Sequence, residues 1–204
     1  EVDAFFCFHA LLTRHIPRYV NGNLDGVHVG CALVDRVLEA VDPALSNYLQ
    51  SKFLGAAIYA FPLLMSLHAC TPPLDEVLRL WDALFAFGVH LEVLLVVAQC
   101  MLLRERLLRD PNPFQHLHPR YLPPLDAEVL VAAAFSLVPH VPEPLMADII
   151  HHPFADLPAA SAAAATPFHQ AAGRQQQRQQ QRQQQQQQQH ARQPAAAVVA
   201  APQE

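Results

Sequence analysis

Cysteine and histidine supply the first candidates for chemistry in this chain. Cys7-x-His9, His68-x-Cys70, His116-x-His118 and His151-His152 each bring two metal-ligating side chains close together in sequence. Zinc sites join a C-x₂₋₄-C or H-x₃₋₅-H pair to a second such pair, and none of these spacings fits. On a helix, residues at i and i+2 do not share a face. The expectation is therefore core or surface histidines, with no metal and no cofactor. Cys7, Cys31, Cys70 and Cys100 lie far apart in apolar, helix-like segments and form no C-x-x-C. They read as small buried hydrophobes and not as the disulfide framework of a secreted domain. No G-x-S-x-G nucleophile turn is present, and the six glycines form no phosphate-cradling loop, so no catalytic triad or nucleotide site is expected. Trp81-Asp82 reads as a core tryptophan on an apolar stripe, with Asp82 capping a neighbouring segment or pairing with Arg79. An interface role for Trp81 is the alternative.

The elements that must carry these residues read as helix after helix, an all-α architecture without a sustained period-2 pattern. Residues 71–88 are the clearest. Thr71 is suited to cap the N-terminus, Pro72 to the first helical position and Gly88 to the left-handed stop. Asp75 and Glu76 put negative charge at the positive end of the dipole. Leu74, Val77, Leu78, Trp81, Leu84 and Phe85 fall on one face, and Asp75 and Arg79 pair at i,i+4. Further helices are expected over 1–12, 27–41, 42–50, 54–69, 89–108, 126–138 and 143–151, with Pro62 either kinking or dividing the fourth of these. The first looks like a core helix, apolar on most sides. Residues 19–26 read as a loop from their N-G and D-G turn signals, an ordinary connection or a partner contact. Residues 109–124 read as a Pro- and His-rich loop.

The chain has 204 residues, 52% of them hydrophobic and 15% charged, enough for one core. The longest apolar run, 93–103, interrupted by Gln99, falls short of the roughly 20 residues of a transmembrane segment, so none is expected. Residues 1–173 carry 9 of the 13 basic and 17 of the 18 acidic side chains, a formal −8. An acidic body disfavours nucleic acid, since phosphate contacts need a basic face. From residue 158 the composition collapses into alanine and a glutamine tract over 175–189. This is a disordered low-complexity tail; Arg174, Arg178 and Arg182, spaced by four, would form a stripe on a transient helix. No signal- or transit-peptide pattern follows Glu1, and the compartment is expected to be cytosolic or nuclear. Because a core-like helix opens the chain, the expectation is a start inside a domain, as in a fragment or truncated gene model.

Three stretches together resemble the TBC-domain GTPase-activating proteins. E-V-D-A-F-F-C-F at 1–8 is similar to the family's E-x-x-A-F-x-x-F helix. D-P-A-L-S-N-Y-L at 42–49 is similar to its D-P-x-L-x-x-x-L helix, and L-R-L-W-D-A-L-F-A-F-G at 78–88 to its L-x-L-W-D helix. Each is weak alone; in this order and spacing they are strong. G-N-L-D-G-V-H-V-G-C (22–31), Y-A-F-P (59–62), A-C-T-P-P-L (69–74) and H-H-P-F (151–154) further resemble the fungal spindle-checkpoint and septation branch. Phe6 and Phe61 stand where relatives often carry tryptophan, and both are expected to keep a core role.

The resemblance implies a division into 1–108, the C-terminal part of a TBC domain; 109–157, a helical extension; and 158–204, the tail. It implies a partner in a small Ras- or Rab-like GTPase, a scaffold subunit of a two-component activator, and a cytoplasmic place at the spindle pole body. Such activators stabilise phosphoryl-transfer charge with an arginine and a glutamine. In the family these lie in I-x-x-D-x-x-R and Y-x-Q motifs that precede the E-x-x-A-F helix. No aspartate here is followed three residues on by arginine. Tyr48-Leu49-Gln50 spells Y-x-Q but falls in the wrong helix, and Arg14, Arg18 and Arg79 are misplaced. No catalytic residue is therefore assigned. A non-catalytic helical adaptor for a GTPase or scaffold is the alternative.

Overall fold

The computed structural model describes residues 1–155; the low-complexity tail expected over 158–204 lies outside the described residues. Among the described residues every regular element is helical. α1 (Val2–Ala10) runs into a π-helical turn at Leu11–His15 and a 3-10 turn at Pro17–Tyr19. Then follow α2 (Asp25–Val41), α3 (Pro43–Ser51), α4 (Ala56–Tyr59), α5 (Phe61–Ser66) and α6 (Leu74–Phe87). The second half holds α7 (Leu91–Leu102), α8 (Arg104–Arg109), α9 (Phe114–Leu117), α10 (Ala127–Leu137) and α11 (Glu143–His151).

α7 is the axis. Residues 91–100 are all buried, including Glu92 and Gln99, as expected for a helix apolar on every side. α2 and α10 pack against it, α6 lies against α10, and α11 returns to α2. Local signals explain most boundaries. Asp42 caps α3 by accepting the Leu45 N–H at 3.0 Å, with Pro43 at the first position. Asp126 does the same for α10 through Val129 N–H. Pro62 divides the stretch expected as one helix into α4 and α5.

Other expectations are corrected. The helix expected over 89–108 breaks at Leu103, where the Arg104 guanidinium turns to the Asp42 carboxylate. α2 begins at Asp25, inside the expected loop, and the 3-10 turn buries Tyr19. Thr71 does not cap α6: it is buried and its hydroxyl donates to the His68 carbonyl at 2.6 Å. The helix starts at Leu74 because a residue preceding proline avoids the helical region, which keeps Pro72 out of it. Arg79 pairs with Glu76 at i,i+3, not with Asp75. Gly88 does end α6, at φ +109°; a side chain there would also meet the His90 ring at 2.6 Å.

The largest correction concerns α1. It buries no residue, and Val2, Phe5, Phe6 and Phe8 are 56–68% exposed. Phe6 is therefore not core, whereas Phe61 is half-buried against the cluster and the His28 ring. Cys7 and Cys70 are exposed; only Cys31 and Cys100 behave as buried hydrophobes. An apolar helix is driven under cover only where another element reaches it, and no described element covers α1.

Asp35 on α2 holds the start of α4, accepting the Ala56 N–H at 2.9 Å. Burial pushes its carboxyl up from 3.8 to about 6, with Glu39 adding to the effect. A raised acid favours the protonated fold, so this group's contribution falls as pH rises through 4 to 6. Asp35→Asn keeps the acceptor and removes the buried charge. It is expected to stabilise the fold at pH 7 by up to about 3 kcal/mol, a gain that vanishes below pH 4. Urea titrations at both pH values measure it.

Candidate functional site

Three stretches that lie far apart in sequence meet at one place. α2 presents Gly26 and Gly30, one turn apart, both buried. The Tyr19 ring lies over them, and its hydroxyl reaches His152 Nε2 at 2.8 Å. His152 Nδ1 sits 2.6 Å from the Ile149 carbonyl, so it carries the proton and Nε2 accepts from Tyr19. Burial holds the imidazole down to about 4, with the Arg18 and His90 charges adding to the effect, and pushes the Tyr19 phenol well above its usual range. Both groups are neutral here. Around them Arg18 donates to the Ala155 carbonyl at 2.7 Å and to that of His152 at 3.3 Å. The Arg18 N–H donates to Pro153, and Arg36 pairs with Asp148 at 2.8 Å. Residues 16–19 and 148–155 are thereby clamped across α2.

Gly26 is required by this approach, whereas a Cβ on Gly30 would make ordinary contacts at 3.4–3.5 Å. A Cβ on Gly26 would stand 2.5 Å from the Tyr19 ring and 2.9 Å from the Arg18 carbonyl carbon. Gly26→Ala gains roughly 1 kcal/mol of helix propensity, yet the clash with backbone is expected to leave a net loss of about 1–3 kcal/mol. Gly22→Ala, with open space around it, is expected to change stability by less than about 0.5 kcal/mol. Denaturant midpoints compare the two.

A second cluster is buried between α5, α6 and α7. Leu67 and His68 are both left-handed, at φ +49° and +60°, a conformation disfavoured by roughly 1–2 kcal/mol per non-glycine residue. Four contacts hold them. Trp81 Nε1 donates to the Leu67 carbonyl at 2.8 Å, and Thr71 bonds the His68 carbonyl. His68 Nδ1 meets Glu92 Oε1 at 2.5 Å, and its Nε2 meets Gln99 Oε1 at 3.4 Å. Sequence reading missed this lock, because nothing local to His68 announces a carboxylate 24 residues away. Trp81 is half-buried, between the core and the interface reading.

The residues singled out in sequence go to structural places. Tyr48 donates to the Asp110 carbonyl at 2.7 Å, and Gln50 points back to Ser46 at 3.4 Å. His116 pairs with Asp110. In the 21–25 loop Asn21 bonds Asp25 twice, through its amide to the carboxylate and its carbonyl from the N–H. Among the described residues no His/Cys/Asp/Glu group is placed to hold a metal ion, and no helix is long and apolar enough to cross a membrane.

Among the exposed apolar side chains, two groups share a helix face: the α1 phenylalanines and an outer stripe on α6. The α6 face expected from sequence is split. Val77 and Leu84, with Leu80, are buried, whereas Leu74, Leu78 and Phe85 are 52–69% exposed. Exposed apolar faces of this kind are the surfaces on which proteins meet their partners.

The family follows from comparison. Residues 1–108 match the Rab-GTPase-TBC domain, and the chain belongs to that family. It is 43% identical over 152 residues to Cell division control protein 16 of Schizosaccharomyces pombe, covering 74% of this chain and 50% of that one. It is 39% identical to a putative mitotic check point protein BUB2 of Dictyostelium discoideum (77% and 42% covered). It is 33% identical to mitotic check point protein BUB2 of Saccharomyces cerevisiae (74% and 49%). The chain spans about half the length of these curated relatives. No solved structure matches it.

The branch stretches quoted from sequence are thus spatial partners. G-N-L-D-G-V-H-V-G-C contributes Gly26 and Gly30 to the seat that receives His152 of H-H-P-F, and its His28 ring lies tilted 5.4 Å from that of Phe61 of Y-A-F-P. A-C-T-P-P-L receives the approach to α10, through Leu125 N–H to the Pro72 carbonyl.

Proposed function

We propose that this chain is the C-terminal part of a GTPase-activating protein for a small Ras- or Rab-like GTPase. Residues 1–108 complete a TBC domain, 109–157 are a helical extension braced onto it, and 158–204 are a low-complexity tail. The observation that carries the reading is the family match over 1–108, with relatives about twice as long. The bare α1 supports it, since an all-round apolar helix suits the join between two lobes. The activity belongs to mitotic exit or septation, a reading supported by relatives named for cell division control and the mitotic check point. In that setting the protein acts in the cytoplasm at the spindle pole body, with a scaffold subunit as second component. The arginine and glutamine that act on GTP lie outside this chain. Single-turnover GTP hydrolysis tests the reading: the chain alone does not stimulate, and the chain joined to a first half bearing both motifs does. Silence of the joined protein on every Ras- and Rab-like GTPase would favour the adaptor.

A further inference from the structure

We propose that the outer stripe of α6, formed by Leu74, Leu78, Trp81 and Phe85, docks a basic amphipathic helix of a partner protein. These residues recur at intervals of four, three and four, so they stack along one line about 16 Å long. Leu74, Leu78 and Phe85 are 69%, 52% and 53% exposed. The stripe is preformed. Trp81 is pinned through Nε1 to the Leu67 carbonyl at 2.8 Å, and Phe85 meets its ring edge to face at 6.0 Å. A rigid aromatic anchor flanked by leucines is the usual centre of a helix-binding surface.

Charge selects the occupant. One flank of the stripe is the core, through Val77 and Leu84. The other carries Asp75 and Asp82, both exposed and seven residues apart, hence on one line. Arg79, the cation on that side, is already paired with Glu76 at 3.1 Å. The described residues carry 9 basic and 16 acidic side chains, a formal −7. A partner helix with apolar residues at i, i+3 or i+4 and i+7, bordered by lysine or arginine, meets both features. A second copy fits badly, because pairing α6 with itself sets Asp75 and Asp82 of the two copies along one seam. α1 of another copy fits no better, since it brings Glu1 and Asp3. The proposal does not depend on the GTPase reading, because it is measured on this chain alone.

Trp81 is the only tryptophan in the chain, so its emission reports on this face. The chain with Phe5, Phe6 and Phe8 replaced by glutamine removes the α1 face as a competing apolar site. The probe is a synthetic amphipathic helix of about five turns, leucine on one face and bordered by lysine; its twin is bordered by glutamate. The lysine-bordered helix is expected to shift Trp81 emission to the blue and saturate. The glutamate twin is expected to bind at least about 30-fold more weakly, and Leu78→Asp to weaken the lysine helix as much, about 2 kcal/mol. Asp75→Lys with Asp82→Lys is expected to invert the preference, and circular dichroism checks that each variant keeps its helix. Equal binding of both probes, no emission change, or no inversion would overturn the proposal. So would a Trp81 shift that tracks self-association, or one produced by truncating the chain after residue 157. These last two assign the stripe to a second copy or to the chain's own tail.

Discussion

Added to a small Ras- or Rab-like GTPase in a single-turnover assay, this chain alone is expected to leave GTP hydrolysis at its intrinsic rate. Joined to the first half of its fission-yeast relative, it is expected to raise the rate by roughly 10³–10⁵-fold, or about 4–7 kcal/mol of transition-state stabilisation. Charge spreads over the transferring phosphoryl group, and an activator must aim donors at it. The donors weighed as fingers here bond within the chain. Arg18 is spent on the Ala155 and His152 carbonyls, and Arg79 on Glu76. The phenol of the Y-x-Q look-alike is bonded to Asp110, and Gln50 turns to Ser46. Tyr48→Phe and Gln50→Ala are therefore expected to leave the joined protein within a few-fold of its full rate. Loss of stimulation in Gln50→Ala with an unchanged melting curve would reassign the glutamine to this chain and overturn the division proposed.

The second large effect is on stability and follows from Tyr19 and His152. His152 is fully buried and held to about 4, below the 6.5 of a free imidazole. A base with a lowered pKa in the fold contributes stability that is intact above 6.5 and is lost as pH falls toward 4. The loss is about 3 kcal/mol at pH 4, a large share of a typical domain's stability. Asp35 works in the opposite sense over nearly the same range, so in the intact chain the two partly cancel. In Asp35→Asn the acid loss from His152 is exposed in full. At pH 7, His152→Ala is expected to cost about 2–4 kcal/mol, since it leaves a cavity and a buried Tyr19 hydroxyl without an acceptor. Its remaining stability loses the His152 share of the acid dependence below 6.5 and keeps that of His90, whose imidazole burial also lowers. Denaturant titrations of Asp35→Asn and of Asp35→Asn with His152→Ala, at pH 7 and 4.5, separate the two effects. Parallel pH curves for the two variants would mean that His152 is not the group responsible.

Much of the helical order was legible because helix signals act between chain neighbours. Asp42-Pro43, Asp126, Pro62 and Gly88 mark their boundaries through bonds to residues a turn away or less, and each does so here. Thr71 does not cap for an equally local reason: Pro73 follows Pro72 and is itself extended, so the helix starts at Leu74. The break at Leu103 was not legible, because its partner Asp42 is 62 residues away. The candidate surfaces were half legible. Residues 74–85 declare an apolar face by their spacing, but spacing does not say how wide a strip the neighbours will cover.

By itself the sequence determined that the described residues are helical, that no metal-spaced or nucleophilic motif is written in it, and that its stretches resemble the TBC domain. These are properties of composition, periodicity and local order, which survive without knowing what packs on what. Only the tertiary structure decided that α1 stands bare, and that α6 buries Val77 and Leu84 while offering Leu78 and Phe85. The same holds for which histidines close onto Tyr19 and Glu92. Burial is set by contacts between residues distant in the chain, and a one-dimensional pattern carries the need for cover without naming the element that supplies it.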